Sequence, residues 1–364
     1  MAAVLPSFNR LTFCRMEFAM KRFFLLLCCL VVLTGCAAPA ANPEPAQAQF
    51  FSMDTLMSIR VYNEGGEDAL QAARQEVERL DKLLSRTDPD SQISLLNSHA
   101  GDGTLVPLDA QVTDLLTFAK SVSQLLPGCF DITIAPVMDA WGFTSETLHV
   151  PSSEALNHAM SLVDSQQLMV DEPSSAARLE QAGMEVDLGA VAKGFAAGRA
   201  DAVLREEGVT SALLDLGGNV TAIGSKPDGS TWQVAVKDPQ NTSEALCVLS
   251  LEDQTASTSG GYERYFEENG QIYHHIIDPE TGYPADSGLL SVTVISSDHM
   301  LADALSTTLF VAGPEEALDF WRSREDFELV LCTQDNRVIV TEGLEAGYRP
   351  AGEERGYTYE IARR

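Results

Sequence analysis

The sequence predicts an α+β fold, with mixed, largely antiparallel sheets flanked by helices. Three observations carry it. Helical periodicity is concentrated before residue 210. Short β-rich runs punctuated by Gly and Pro crowd after it. No short repeat period marks a solenoid or a propeller.

The elements follow from these patterns. "MKRFFLLLCCLVVLTGC" sets Lys21-Arg22 before an apolar run from Phe23 to Leu33. That run is too short to span a bilayer and suits a secretory signal. "LTGC" reads as a lipobox that makes Cys36 the lipidated residue, so residues 1–35 are expected to be a lipoprotein signal peptide, with Met20 the natural start. Residues 36–49 read as a lipid-anchored Pro/Ala linker, and 50–364 as one domain. "FFSMDTLMSIRVY" is expected as a strand ending at "NEGG". Leu70, Ala73, Val77, Leu80 and Leu84 recur at helical spacing across 67–85. Asp109 caps a helix over 109–126, and "SSEALNHAM" starts a third. "VDLGAVAKGFAAGRADAVLREEG" reads as a short strand, a Gly turn and a helix ending at Gly208. The runs from "SALLDLG" to "LLSVTVIS" are strands, and helices are expected at "LADALSTTLF" and near 314–324.

Composition narrows the function. Lys and Arg total 24 against 53 Asp and Glu, a formal net charge of −29. A phosphate-backbone binder needs clustered basic residues, so nucleic acid is excluded as a partner. Cys129, Cys247 and Cys332, outside the leader and anchor, are widely spaced and lack a CxxC, which argues against a zinc site or a disulfide framework.

Four stretches could carry chemistry. In "DLGAVAKG" (187–194), Asp187, Lys193 and two Gly meet a helix N-terminus. Such an end favours phosphate, but the pattern fits a capped turn with a surface Lys equally well. "STSGGYERYF" (257–266) permits close backbone approach but is no nucleophile elbow, because position 257 is Ser rather than Gly. In "YHHIIDPETGYP" (273–284), strand alternation sends His274 and His275 to opposite faces, so one alone can face a site. In "ADALSTTLF" (302–310), Asp303 and Thr307 stand one turn apart on one helix face. Asp298 is better placed as the cap of that helix. Asp303 and Thr307 are therefore free to offer a hard cation such as Mg²⁺ or Ca²⁺ its oxygen ligands.

Together with "MDT" (53–55), "DPDSQISLLN" (88–97), "FDITIAPVMDAWGF" (130–143) and "LLDLGGNVTAIG" (213–224), these stretches stand in the order found in the ApbE family of FAD:protein FMN transferases. The chain resembles that family from about Met53 to Ala312. The resemblance implies an ApbE-like fold and Mg²⁺-dependent transfer of FMN from FAD to a Thr or Ser hydroxyl of a target protein, with release of AMP. Some members hydrolyse FAD to FMN and AMP instead. The resemblance further implies Mg²⁺ ligation by Asp303 and Thr307 side chains and by the backbone carbonyls of Ala190 and Ser306. It implies FAD contacts from Asp187 and Lys193, a flavin pocket lined by Met53, Phe130 and Asp131, and His275 as general base. The implied targets are subunits of membrane redox complexes, and the implied location is the extracytoplasmic face of a bacterial membrane. Two positions depart from the family. Thr87 stands where many members carry Tyr, with Trp141 or Tyr262 as the rings that could compensate. Gly261 stands where members often carry Asp or Asn.

Overall fold

The computed structural model describes residues 44–145 and 147–364. The expected signal peptide, Cys36 and the linker as far as residue 43 lie outside the described residues.

The chain opens with a hairpin, β1 (Ala46–Ser52) and β2 (Thr55–Val61), paired from Ala46↔Val61 to Ser52↔Thr55. The single strand expected here is thus two. Met53 and Asp54 form the turn with φ of 48° and 57°, both left-handed. Two-residue hairpins need such angles and usually take them from Asn-Gly or Asp-Gly; "MD" gives no such signal. β1 also begins four residues inside the stretch read as linker, since Ala46 and Ala48 face inward beside Phe50.

α1 (Glu67–Leu84) buries the predicted stripe from Leu70 to Leu84. α2 (Gln92–Ser98) is capped by Ser91, whose hydroxyl accepts from the Ser94 N–H. α3 (Ala110–Val122) is capped by Asp109 through the Gln111 N–H, as expected. β3 (Val106–Pro107), β4 (Leu168–Asp171) and β5 (Ala176–Leu179) form a small sheet with β5 central. α4 (Ala135–Trp141) and α5 (Ser153–Met160) lie between β3 and β4 in sequence. The strand expected before α6 (Ala192–Glu206) does not form. Residues 186–191 are irregular and turn structure, and Glu185 makes an isolated bridge to Ile134.

The remaining strands are β6 (Ala212–Leu216), β7 (Asn219–Ile223), β8 (Trp232–Asp238), β9 (Asn241–Leu251), β10 (Gln254–Gly260), β11 (Tyr265–Glu268), β12 (Gln271–His274) and β13 (Leu289–Ser296). Then come α7 (His299–Ala312), α8 (Pro314–Arg322), β14 (Glu328–Thr333), β15 (Arg337–Thr341), β16 (Tyr348–Pro350) and β17 (Thr358–Ala362). Nine strands make the main sheet in the order β1-β2-β6-β7-β10-β13-β14-β15-β17. Every pair is antiparallel except β15 with β17. The fold is therefore α+β, as the sequence predicts.

Helices α1, α6 and α7 cover one face of this sheet through two apolar cores. The second sheet, ordered β16-β9-β8, covers part of the other face around Trp232, Leu249, Ala256 and Val330. This layering puts α7 deep in the protein. Asp303, Ser306 and Thr308 are buried with its Leu, Ala and Phe residues, and a buried charge there demands a partner.

A candidate dinucleotide site around Asp303

A cavity of about 1060 Å³ opens where the β1–β2 turn, the loop after α1, the 129–134 segment, the 187–193 turn and α7 converge. That volume lies at the upper end of the range for small-molecule sites and suits a dinucleotide. Of the expected site residues, Met53, Phe130, Asp131, Asp187, Ala190, Lys193, His275, Asp303 and Thr307 all line it. Ser306 is not in its wall. The Ser306 hydroxyl turns inward, donating to the Asp303 carbonyl at 2.8 Å and lying 2.8 Å from the Ser259 hydroxyl.

Asp303 is 3% exposed. One carboxylate oxygen accepts from the Gly194 N–H at 2.7 Å, and the other lies 3.3 Å from the Ser257 hydroxyl. It forms no ion pair among the described residues, and Lys193 acts on it only through space. Burial pushes its carboxyl above the usual carboxylate range, against the pull of Lys193 and of these hydrogen bonds. The Asn219 amide nitrogen, which faces the same carboxylate, is buried and lacks a partner of good geometry. Thr307 lies 3.1 Å from Ser259, so the hydroxyls of β10 form an oxygen-rich floor beneath α7.

The structure adds a third occupant to "DLGAVAKG". The first turn of α6 is indeed occupied, but by a carboxylate from 109 residues downstream, which takes the Gly194 N–H. Gly194 is required by the helix crossing as well. A Cβ there would stand 2.4 Å from the His299 carbonyl oxygen and 2.6 Å from the Asp303 Cβ. Gly194→Ala is expected to cost about 1–3 kcal/mol of stability, measured by chemical denaturation, because α6 must shift away from α7. The Asp187 carboxylate folds the same turn by accepting from the Gly189 N–H at 2.7 Å.

His275 follows directly on β12. Its backbone N–H donates to the Arg264 carbonyl at 3.0 Å. Its imidazole enters the cavity wall, whereas His274 packs edge-on against Phe310 and holds the Ala285 carbonyl with Nε2. The opposite orientation expected of the pair is present. Burial, followed by the nearby Lys193 and Arg264 charges, lowers the His275 pKa to about 3. The ring is therefore neutral near pH 7.

Other parts correct the sequence reading. Asp131 lines the cavity as expected, and both its oxygens are engaged within the protein: one accepts from the Thr133 N–H and hydroxyl, the other from the Ser165 N–H, 34 residues on. Trp141 cannot replace the ring missing at Thr87. It is fully buried, its indole N–H donates to the Gly282 carbonyl, and it packs among Phe143, Phe266 and Tyr273. Tyr262 lines the cavity, as does Phe143. At Gly261 a Cβ would stand 2.7 Å from the His274 ring, which explains the absence of a side chain there. Arg86 escaped the sequence reading. Its guanidinium forks onto Asp139 at 2.9 and 2.7 Å, meets Glu185 at 2.8 Å and approaches Asp187 to 3.9 Å. Three acids distant in sequence converge on one base, which no local pattern reveals.

Among the described residues no helix is long and apolar enough to cross a membrane, and no three His, Cys, Asp or Glu side chains cluster to hold a metal.

Comparisons with known proteins show the family and the fold. The ApbE family model matches residues 53–331. An FAD:protein FMN transferase of Klebsiella pneumoniae (strain 342) is 33% identical over 308 residues, 84% of this chain and 92% of that protein. One from Treponema pallidum (strain Nichols) is 33% identical over 342 residues, 89% of this chain and 94% of that protein. The crystal structure of the ApbE protein of Thermotoga maritima superposes with a TM-score of 0.74 at 30% identity, covering 87% of this chain and all of that one. The apo flavinyl transferase ApbE of Pseudomonas stutzeri gives 0.70 at 29% identity, covering 80% and 92%. With a family model spanning most of its length and relatives a third identical to it almost end to end, the chain belongs to the ApbE family.

Proposed function

We propose that the protein transfers FMN from FAD to a Ser or Thr hydroxyl of a target protein and releases AMP. The observation that carries this reading is the meeting, in one dinucleotide-sized cavity, of a buried unpaired carboxylate, a lysine and a neutral imidazole.

The residues divide the work. Met53, Phe130, Phe143 and Tyr262 offer apolar and aromatic surface to the flavin and adenine rings. Lys193 brings positive charge to the pyrophosphate. His275 takes the proton of the acceptor hydroxyl as its oxygen attacks the FMN phosphorus. The bond from that phosphorus to the AMP oxygen breaks, and the product is a phosphodiester-linked flavin.

The chemistry of the site fits a hard cation. Asp303 makes no ion pair among the described residues, and the side chains that surround it on β10 and α7 offer hydroxyl oxygens. Asp303, Thr307 and the Ala190 carbonyl, all in the cavity wall, would hold Mg²⁺; the expected Ser306 donor lies outside that wall. Bound there, Mg²⁺ supplies neutralisation of the charge that develops on the pyrophosphate oxygens. Lipid on Cys36 would keep the enzyme on the extracytoplasmic face of a bacterial membrane, among targets anchored on the same side.

The test combines the protein with FAD, Mg²⁺ and an acceptor domain carrying a D-G-x-x-x-A-[ST] segment. Flavin fluorescence fixed to the acceptor and surviving denaturation is the expected result. Free FMN with an unmodified acceptor would make the protein an FAD pyrophosphatase, and intact FAD would make it a flavin carrier.

A further inference from the structure

Strands β1 and β2 alternate cleanly. Phe50, Met57, Ile59 and Val61 face the helices, and the opposite face carries Gln47, Gln49, Ser58 and Arg60. The alternation fails at the turn. Phe51 and Leu56, directly opposed in register, sit on the polar face and are 71% and 63% exposed. A single exposed apolar side chain needs no explanation. A cross-strand pair at the tip of a strained turn is different, because the pair forms a contiguous apolar ledge.

The position of the ledge gives it meaning. Both side chains reach the rim of the FAD-sized cavity. Asp54, between them in the turn, approaches the Arg264 guanidinium to 4.0 Å, and the Arg264 carbonyl holds the His275 backbone N–H. The ledge is thus tied through one residue to the group that would deprotonate the acceptor. An acceptor hydroxyl must reach His275 from outside, past this rim.

We propose that Phe51 and Leu56 form the docking ledge for the acceptor protein, taking apolar side chains that flank its Ser or Thr. This rests on the transfer reading above. A protein acceptor is favoured over the membrane because the chain carries a net charge of −29, which anionic lipid headgroups repel. The ledge also adjoins the one place where the acceptor must be held.

The test uses the full-length lipoprotein in detergent micelles and in anionic vesicles. The double variant Phe51→Thr, Leu56→Thr keeps strand-forming residues, and Phe51→Tyr, Leu56→Met keeps apolar bulk. The Thr variant should raise KM for the acceptor domain about tenfold in both settings. Its kcat at saturating acceptor and its FAD affinity, read by flavin fluorescence, should be unchanged, and the Tyr/Met variant should restore KM. An unchanged KM overturns the proposal. So does a parallel loss of FAD affinity, which would assign the pair to the flavin, or a defect confined to vesicles, which would assign it to lipid. Wild-type protein that labels no acceptor would instead refute transfer itself.

Discussion

Asp303→Asn is expected to lower FAD cleavage at least about a thousandfold while leaving the folded protein as stable as the wild type, or more so, in chelator. The two halves have one cause. Asn keeps an oxygen for the Gly194 N–H but removes a charge that burial disfavours and that Lys193 offsets only through space, with no ion pair among the described residues. On the proposed reading, the site without this carboxylate would not hold a divalent cation against the pyrophosphate, and metal assistance to such a displacement is worth several kcal/mol. Thermal denaturation provides a second readout. If Mg²⁺ binds the folded state at Asp303 as proposed, it should raise the Tm of the wild type and leave the variant unmoved. Equal Mg²⁺ responses in the two proteins would remove Asp303 from the cation site.

His275→Gln is expected to retain FAD binding and to lose about 10²–10⁴-fold in transfer, the usual contribution of a positioned base. If FAD affinity collapsed as well, His275 would be part of the binding surface. The depressed pKa has two consequences for pH. The free enzyme's kcat/KM should show no acid limb near the ordinary imidazole value of 6.5, because the ring stays neutral down to about 3. For stability, the unfolded chain takes up a proton at His275 below 6.5 that the folded chain refuses until about 3. Stability is therefore lost as pH falls through that window. His275→Gln should flatten this part of the stability profile, and an unchanged slope would show that the imidazole is not held neutral.

Elements that bury one face of a regular helix were legible in the sequence. The stripe of α1, the Asp109 cap and the placing of Asp298 rather than Asp303 as the cap of α7 all appear as expected. What depended on non-local forces was not. The β1–β2 turn adopts left-handed angles without the residues that advertise them. The segment before α6 is apolar enough for a strand, yet at Val186 it pairs with the Asn97 side chain and at Asp187 with the Ile132 carbonyl instead of a ladder. The cavity wall was legible through motifs, because Asp303, Thr307, Lys193 and His275 each sat in an unusual local pattern. Arg86 and Asn219 were not, since their meaning lies in partners brought together only by folding.

The hydroxyl floor beneath α7 bears on which ion the protein would keep. Around Asp303 the groups on β10 and α7 are Ser257, Ser259, Ser306 and Thr307, without a thiolate or imidazole among their mutual contacts. Zinc and copper outcompete other divalent ions where nitrogen and sulfur ligands are offered. An oxygen set with a single carboxylate gives them little advantage and binds any divalent ion modestly. With the proposed cation held there, such a site would select its metal by abundance rather than by grip, and EDTA dialysis should strip it readily and reversibly.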